Sequence, residues 1–161
     1  MGLDISAYSK ITKTENLDEA TIFVFRGEYY SDRATDIEQG TYIEGDGCEH
    51  IGFRAGSYSG YGVFRNLLSQ IILGADARTI WTNEEKYSDK PFYELINFSD
   101  CEGKFGPQIS AKLHKDFVDN KEIFYEGVKK DNPYEGYYES IYDNFMKGFE
   151  IASKGGVLCF H

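Results

Sequence analysis

The pattern of apolar and polar residues predicts strands near both ends of the chain. Apolar residues alternate with polar ones over residues 3–8, which is the period of a half-buried strand. Residues 21–25 form a continuous β-branched and aromatic run and predict a central strand. The apolar, β-prone residues 157–161 predict a closing strand that returns to the sheet. The chain is therefore expected to begin and end within a sheet.

The stretch between the first strands is harder to assign. Residues 27–47 are polar and acidic with little periodicity, which favours a loop. Within that stretch, residues 41–44 predict a short edge strand, and residues 50–54 predict another strand just after it.

Helical periodicity begins in the middle of the chain. Apolar residues over 63–72 follow the spacing of a helix with a wide buried face, and Gly74 is a natural place for it to end. A second amphipathic helix is predicted over 108–119. Residues 91–98 fit either a short helix or a strand, and the proline at their start favours the helix.

A third and longer helix is predicted near the end of the chain. Apolar and aromatic residues keep helical spacing over 134–152. The pair Asn132-Pro133 suits its start, and the glycines at 155–156 suit its end. Strands near both ends with helices clustered in the second half predict an α+β fold, with a mostly antiparallel sheet and helices packed on one face. We expect residues 1–161 to form a single globular domain.

Composition and charge narrow the class of function. The hydrophobic share of 41% is too high for a mostly disordered chain, and no apolar run approaches the length of a membrane span. A net charge of -10 disfavours nucleic acid polymers and anionic membranes as partners, since both require a basic surface. A small anion bound in a local pocket remains compatible with that charge.

The predicted cellular location and cofactors of the protein rest on signals and ligand motifs that are missing from the sequence. The first residues show no secretory signal, and the three cysteines are widely spaced with no paired motif, so we expect a cytoplasmic protein with free thiols. Residues 45–50 mix acid, thiol and imidazole but lack a second spaced ligand pair, so an acidic loop is favoured over a metal site. No cofactor is predicted.

One segment stands apart from the acidic background. From Ile51 to Ala75 there is no Asp or Glu, and within this stretch a Gly/Ser/Tyr loop, residues 56–62, leads into the first helix. Backbone amides at a helix start, together with arginine, suit a phosphate or carboxylate, while tyrosine rings suit a base. The candidate ligand-binding residues of this segment are Arg54, Ser57, Tyr58, Ser59, Tyr61 and Arg65.

The same loop also fits a purely structural role. Its serines would cap the helix and its tyrosines would pack into the core. It is not a Walker A loop, because no Gly-Lys-Ser/Thr follows, and the spacing of its glycines does not match the Rossmann fingerprint.

A second candidate site lies in the polar turn at residues 98–104. Asp100 and Glu102 would accept hydrogen bonds from ribose hydroxyls or an exocyclic amine, would bind a metal, or would serve as acid and base. Cys101 would be a nucleophile if one of the histidines lay beside it. The alternative is a polar turn with a small thiol. The three histidines are His50, His114 and His161.

The Met-Gly-Leu-Asp start, the Gly-Ser-Tyr-Ser-Gly-Tyr loop, the Phe-Ser-Asp-Cys-Glu-Gly turn and the Phe-His ending resemble a group of small phage and bacterial proteins of unassigned activity. The resemblance spans most of the chain and implies one compact domain with a shared pocket, but it carries no activity. By analogy of size and pocket chemistry, the chain is also similar to phage proteins that sequester nucleotide signals of bacterial immunity.

Three functions follow as hypotheses. The first is a non-enzymatic protein that sequesters a nucleotide-like signal, an ADP-ribose derivative or a cyclic nucleotide, in phage anti-defence. The second is a small hydrolase or transferase that acts on the same ligands through Cys101 or the Asp100/Glu102 pair. The third is a protein-interaction module, with the tyrosine-rich last helix as a partner-binding or homodimer face. The first hypothesis requires that residues 56–62 and 99–103 lie next to each other.

Overall fold

Two antiparallel sheets form the framework of the fold. The computed structural model describes residues 2–25, 33–34, 36–99, 101–129 and 136–161. The strands are β1 (Gly2–Tyr8), β2 (Ile11–Lys13), β3 (Ile22–Val24), β4 (Gly40–Glu44), β5 (His50–Ser57), β6 (Gly103–Phe105) and β7 (Val157–Phe160). The helices are α1 (Tyr58–Leu68), α2 (Ala77–Trp81), α3 (Glu84–Tyr87), α4 (Tyr93–Ile96), α5 (Pro107–Lys129) and α6 (Tyr137–Ala152), with a π-helical turn at Ser69–Leu73 after α1.

The larger sheet has the strand order β5-β1-β7-β6, with antiparallel neighbours throughout. Its two central strands are the first and last strands of the described chain, and Ile5 lies opposite Phe160. The prediction that the chain starts and finishes inside a sheet is confirmed, as is the α+β class. Among the described helices, none is both long enough and apolar enough to cross a lipid bilayer.

The main core lies between the larger sheet and the helices. The strands contribute their inward-facing residues, such as Leu3 and Ile5, and α1, α5 and α6 contribute a group of fully buried phenylalanines. The ring of Phe145 stacks on that of Phe64 at 5.6 Å and meets Phe53 of β5 edge-on at 5.1 Å. Helices therefore pack on one face of this sheet, as the sequence predicts.

The opposite, outer face of the larger sheet is divided in two. At one end, Tyr8, Val157 and Cys159 share a second, smaller core with Ile22 and Tyr42 of the other sheet. At the other end, the outward-facing side chains are polar and partly exposed. Those side chains belong to Asp4, Ser6, Arg54, Lys104 and His161.

The smaller sheet corrects two predictions. Its order is β2-β4-β3, so residues 21–25 form an edge strand rather than a central one, and residues 40–44 form the central strand rather than an edge. Tyr42 has partners on both sides, Lys13 and Ile22. The run at 21–25 is apolar on both faces without being buried on both, since Phe25 keeps 61% of its surface exposed.

The helix predictions hold with adjusted limits. The first predicted helix corresponds to α1 and the π-helical turn after it, and it ends at Gly74, whose φ of 69° is left-handed. The helix favoured over 91–98 corresponds to the short α4. The second continues beyond 119 to Lys129. The predicted start of the third at Asn132-Pro133 lies outside the described residues, and its end is followed by Gly155 at a φ of 103°.

Candidate functional site

The predicted loop at residues 56–62, called the glycine loop below, is a direct strand-to-helix junction: Gly56 and Ser57 end β5, and Tyr58 begins α1. Ser57 ends the strand, and its Oγ accepts a hydrogen bond from the Gly60 amide at 3.0 Å, which caps the helix. The first turn of α1 contains no acidic residue. Gly56 adopts a φ of 103°, and a Cβ added to it would lie 2.7 Å from the hydroxyl of Tyr137. Both the backbone conformation and the space above it therefore require glycine there.

Hydroxyl groups converge over this helix start. Ser57 Oγ and Ser59 Oγ lie 3.1 Å apart, and both side chains are exposed. A Cβ added to Gly60 would lie 3.2 Å from Ser57 Oγ and 3.7 Å from the Tyr137 hydroxyl. Sequence reasoning missed Tyr137 as a neighbour of the loop, because it lies on α6 and its periodicity indicates only a helix face.

Arg54 has an intramolecular partner. Its Nε and Nη2 donate to the two carboxylate oxygens of Asp4 at 2.9 and 2.7 Å, a bidentate pair on neighbouring strands. The hydrogen bonds from Arg54 hold the pKa of Asp4 below its usual range. The guanidinium keeps N–H groups beyond the two that bind Asp4, and 63% of the side chain is exposed. Asp4 therefore fixes the Arg54 guanidinium and offsets its charge while leaving donors toward solvent.

Arg65 and Tyr61 lie on the inner side of the loop. Arg65 is only 6% exposed and Tyr61 is fully buried. Arg65 Nη1 donates to the carbonyl oxygen of Phe98 at 2.6 Å, and its guanidinium lies over the rings of Tyr61 and Trp81 at 4.9 and 5.5 Å. Arg65 therefore connects α1 to Phe98, the first residue of the polar turn. Tyr58 is half-buried against the main core.

The polar turn is organised by Ser99. Its Oγ accepts hydrogen bonds from the amides of Cys101 and Glu102 at 3.3 and 3.2 Å, and both of those residues are exposed. Asp100 lies outside the described residues. In the described part of the chain, no hydrogen bond or ion pair joins Cys101 to a histidine.

The loop and the turn lie at the same end of the larger sheet but on its opposite edge strands. Gly103 of β6 is opposite Phe160, and Phe160 is opposite Ile5, which is itself opposite Phe53 of β5. Strands are spaced about 4.8 Å apart, so three spacings place these edges about 14 Å apart. Residues 56–62 and 99–103 are thus separated by β1 and β7 and do not lie next to each other, so the predicted pocket walled directly by both segments is wrong. A ligand that contacts both segments would have to span the two central strands.

The outer face between these two edges is polar. The backbone of His161 pairs with that of Asp4, with its amide 2.9 Å from the Asp4 carbonyl, and its Nε2 lies 3.2 Å from Ser6 Oγ. Burial, and secondarily the charge of Lys104, lower the pKa of His161. We call the outward-facing group Asp4, Ser6, Lys104 and His161 the polar floor. From the sequence, His161 was considered only as a neighbour of Cys101.

A separate groove of about 770 Å³ runs along the outer side of α5. None of the predicted site residues lines it. Its lining residues are Val118, Asp119, Lys121, Glu122, Ile123, Tyr125, Glu126 and Lys129.

The tyrosine-rich helix is mostly internal. Tyr142 and Phe145 are fully buried, Tyr138 is half-buried, and Tyr137 is 43% exposed. Burial raises the pKa of Tyr142 well above its usual range, and its hydroxyl donates to the Phe117 carbonyl. Its described residues therefore offer one exposed ring rather than an aromatic patch.

Potential metal ligands do not cluster in the described residues. Across the described ranges, there is no group of three or more His, Cys, Asp or Glu side chains arranged to hold a metal ion. Comparison with models of protein families, with curated proteins and with solved structures found no match.

Proposed function

We propose that the protein binds a small anionic, nucleotide-like ligand across the polar floor, between the glycine loop and the turn at 99–103, without converting it. The observation that carries this proposal is the grouping of exposed donors at one end of an acidic protein. Arg54, the hydroxyls of Ser57 and Ser59, and the acid-free start of α1 all lie at that end.

Each group has a role suited to its chemistry. The outward N–H groups of Arg54 and the first amides of α1 would contact phosphate, and Tyr58 would offer a ring face to a base. Asp4 and Glu102 would accept hydrogen bonds from hydroxyls or an amine. Arg65 and Tyr61 would support the loop from beneath, since their burial keeps them from a ligand on the surface.

The resemblance to phage proteins suggests a biological role for the proposed ligand binding. A protein of this kind would sequester an ADP-ribose derivative or a cyclic nucleotide in the cytoplasm of an infected bacterium. Sequestration requires only affinity, so it fits a site that has exposed donors but no described pairing of Cys101 with a histidine.

Isothermal titration with ADP-ribose and a panel of cyclic nucleotides tests the proposal, with inorganic phosphate and adenosine as partial ligands. We expect at least one nucleotide to bind and Arg54→Gln to weaken it about tenfold, the loss expected for a charge-assisted hydrogen bond. Arg78→Gln, an exposed arginine on α2, is the matched control and should bind normally. Absence of heat with every nucleotide would refute the proposal.

The fate of the ligand separates binding from catalysis. After incubation and denaturation, a binding protein returns the nucleotide intact. A product whose formation is lost in Cys101→Ala or Glu102→Ala would instead favour the hydrolase or transferase.

A further inference from the structure

We propose that the outer edge of β3 in the smaller sheet is a docking surface for an extended, basic and apolar polypeptide segment, which adds to the sheet as a further strand. This surface belongs to the other sheet and shares no residue with the polar floor, so the proposal is independent of nucleotide binding.

The edge itself is unusually open to pairing. Edge strands in native proteins are commonly protected by lysine, proline or a bulge, because their free N–H and C=O groups invite another strand. Residues 21–25 contain no charged residue and no proline. Within the described residues, β3 pairs only with β4. In the described part of the chain, no other strand lies beside its outer edge, and we propose that the backbone groups of this edge pair with a partner.

The side chains of this edge are apolar and exposed. Phe23 and Phe25 retain 37% and 61% of their surface, and their rings stack at 6.1 Å with an interplanar angle of 19°. Leu17, in the connection that leads into β3, is 68% exposed. In strand addition, main-chain hydrogen bonds give affinity, and the surface beside the edge selects alternate side chains of the partner. Phe23 and Phe25 provide an apolar surface of that kind.

The charge around the edge specifies the chemistry of that partner. Residues 10–25 and 36–49, which contain the smaller sheet, carry eight carboxylates and only two lysines. One of these lysines, Lys13, is already paired with Glu38 at 2.8 Å. Glu19 is four residues from Phe23, so their Cα atoms are at most about 14 Å apart. A segment that alternates basic and apolar residues would match both the rings and the carboxylates.

The same charge argues against a second copy of the chain as the occupant. Two molecules with a net charge of -10 each would bring their acidic small sheets together, and the described residues 10–25 and 36–49 offer only two lysines against eight carboxylates to offset that repulsion. A basic partner is attracted by the negative charge of the protein, whereas a second copy is repelled by it.

A synthetic peptide provides the test. The probe is a fluorescent peptide of about eight residues, a typical strand length, that alternates lysine and valine. Its binding is followed by fluorescence anisotropy between about 10 mM and about 150 mM salt, over which the Debye length falls from about 30 Å to about 8 Å. We expect binding that weakens with salt, and loss of binding when the backbone amides of the same peptide are N-methylated.

Two variants of the protein locate the site. Phe23→Thr with Phe25→Thr should weaken binding about tenfold, because the rings no longer cover apolar side chains. Glu15→Gln, Asp18→Asn and Glu19→Gln together change no apolar contact and should weaken binding mainly at low salt. The matched control is Val118→Thr with Ile123→Thr, which removes exposed apolar groups from α5 and should have no effect.

Several outcomes would overturn the proposal. Equal binding of the N-methylated peptide excludes strand addition, and undiminished binding by the Phe23/Phe25 variant excludes this edge. Equal binding of a glutamate-valine peptide excludes the charge match. A dimer in sedimentation that Phe25→Thr dissociates would assign the edge to a second copy.

Discussion

At the scale of single residues, the partner of Arg54 determines what that residue offers. A free arginine would attract any anion, whereas one held by Asp4 presents fewer donors in a fixed orientation. An anion with several oxygens gains most from such a fixed geometry. The same pair controls the protonation of Asp4, and this gives a measurement that needs no ligand.

Replacing Arg54 with Gln should raise the pKa of Asp4 toward its ordinary value, because the charged hydrogen bonds from Arg54 are the main cause that lowers it. Asp4 with a lowered pKa adds stability above the ordinary carboxyl pKa, and this stability is lost as the pH falls through the lowered value. The variant and the parent should therefore converge in stability at acid pH. Carboxyl NMR titration measures the change, and Arg54→Lys, which keeps the charge, should show a smaller one. An unchanged Asp4 pKa in Arg54→Gln would contradict the pairing.

Arg54 and Arg65 also show how much of a side chain's surroundings can be predicted from the sequence. The stretch without acids, 51–75, contains a helix start capped by Ser57, as its serines predict, but α1 begins at Tyr58 and leaves no separate loop. It does not reveal that Asp4 of a neighbouring strand binds Arg54, or that Arg65 turns inward to the Phe98 carbonyl. Local pattern predicts the capped start of the helix, while pairing between distant segments sets the orientation of the charged side chains around it.

The three thiols should differ sharply in reactivity. Burial raises the pKa of Cys159 to about 12, so its reactive thiolate is scarce at neutral pH, whereas Cys101 is exposed and Cys48 is half-buried. With a disulfide reagent at about pH 8, Cys101 should react first, Cys48 more slowly and Cys159 last, at the rate at which the smaller core opens. Mass spectrometry of the labelled peptides identifies each site. Rapid labelling of Cys159 in the folded protein would show that the smaller core opens readily.

At the scale of elements, the glycines of the loop have different roles. Gly56 has a left-handed φ and faces the Tyr137 hydroxyl, while Gly62 lies inside α1 with no atom within 4 Å of an added Cβ. Of these two glycines, only Gly56 is therefore constrained by its surroundings. The three-glycine pattern in the sequence does not distinguish the two, because the difference depends on α6.

Gly56→Ala should lower the free energy of unfolding by about 1 to 3 kcal/mol, the cost of forcing a side chain into that backbone conformation, and should displace Tyr137. Gly62→Ala should raise the free energy of unfolding by up to about 1 kcal/mol, since alanine favours a helix interior over glycine. Urea denaturation of the matched pair tests both signs. Equal effects of the two substitutions would show that Gly56 is not constrained as described.

The exchange of central and edge strands in the smaller sheet has a physical cause at the same scale. The run at 21–25 is more apolar than residues 40–44, and apolarity on both faces predicts burial on both faces. Here the two exposed rings lie on an edge, while the central strand includes Thr41, which faces outward with a half-buried side chain. An edge strand with an apolar exposed face has the same sequence pattern as a strand buried on both faces, so the pattern alone does not distinguish them.

At the scale of the whole molecule, the two cores differ in size. The main core joins four strands to α1, α5 and α6, whereas the smaller core joins the second sheet to the outer face through a handful of side chains such as Tyr8, Val24 and Tyr42. Cooperative units of unequal packing open with unequal free energies. The smaller sheet should therefore open without unfolding the larger one.

Hydrogen exchange with one substitution in each core tests this difference. Val24→Ala, which removes about 2 kcal/mol of buried apolar contact, should speed exchange at Ile22 and Tyr42 while leaving Ile5 protected. Phe117→Ala should cost about 3 to 5 kcal/mol and speed exchange in both sheets, because its ring packs against Tyr142 and Phe149 in the main core. Equal acceleration at Ile5 and Tyr42 in Val24→Ala would mean that the two sheets open as one unit. In that case, a partner bound at β3 would stabilise the entire molecule rather than the smaller sheet alone.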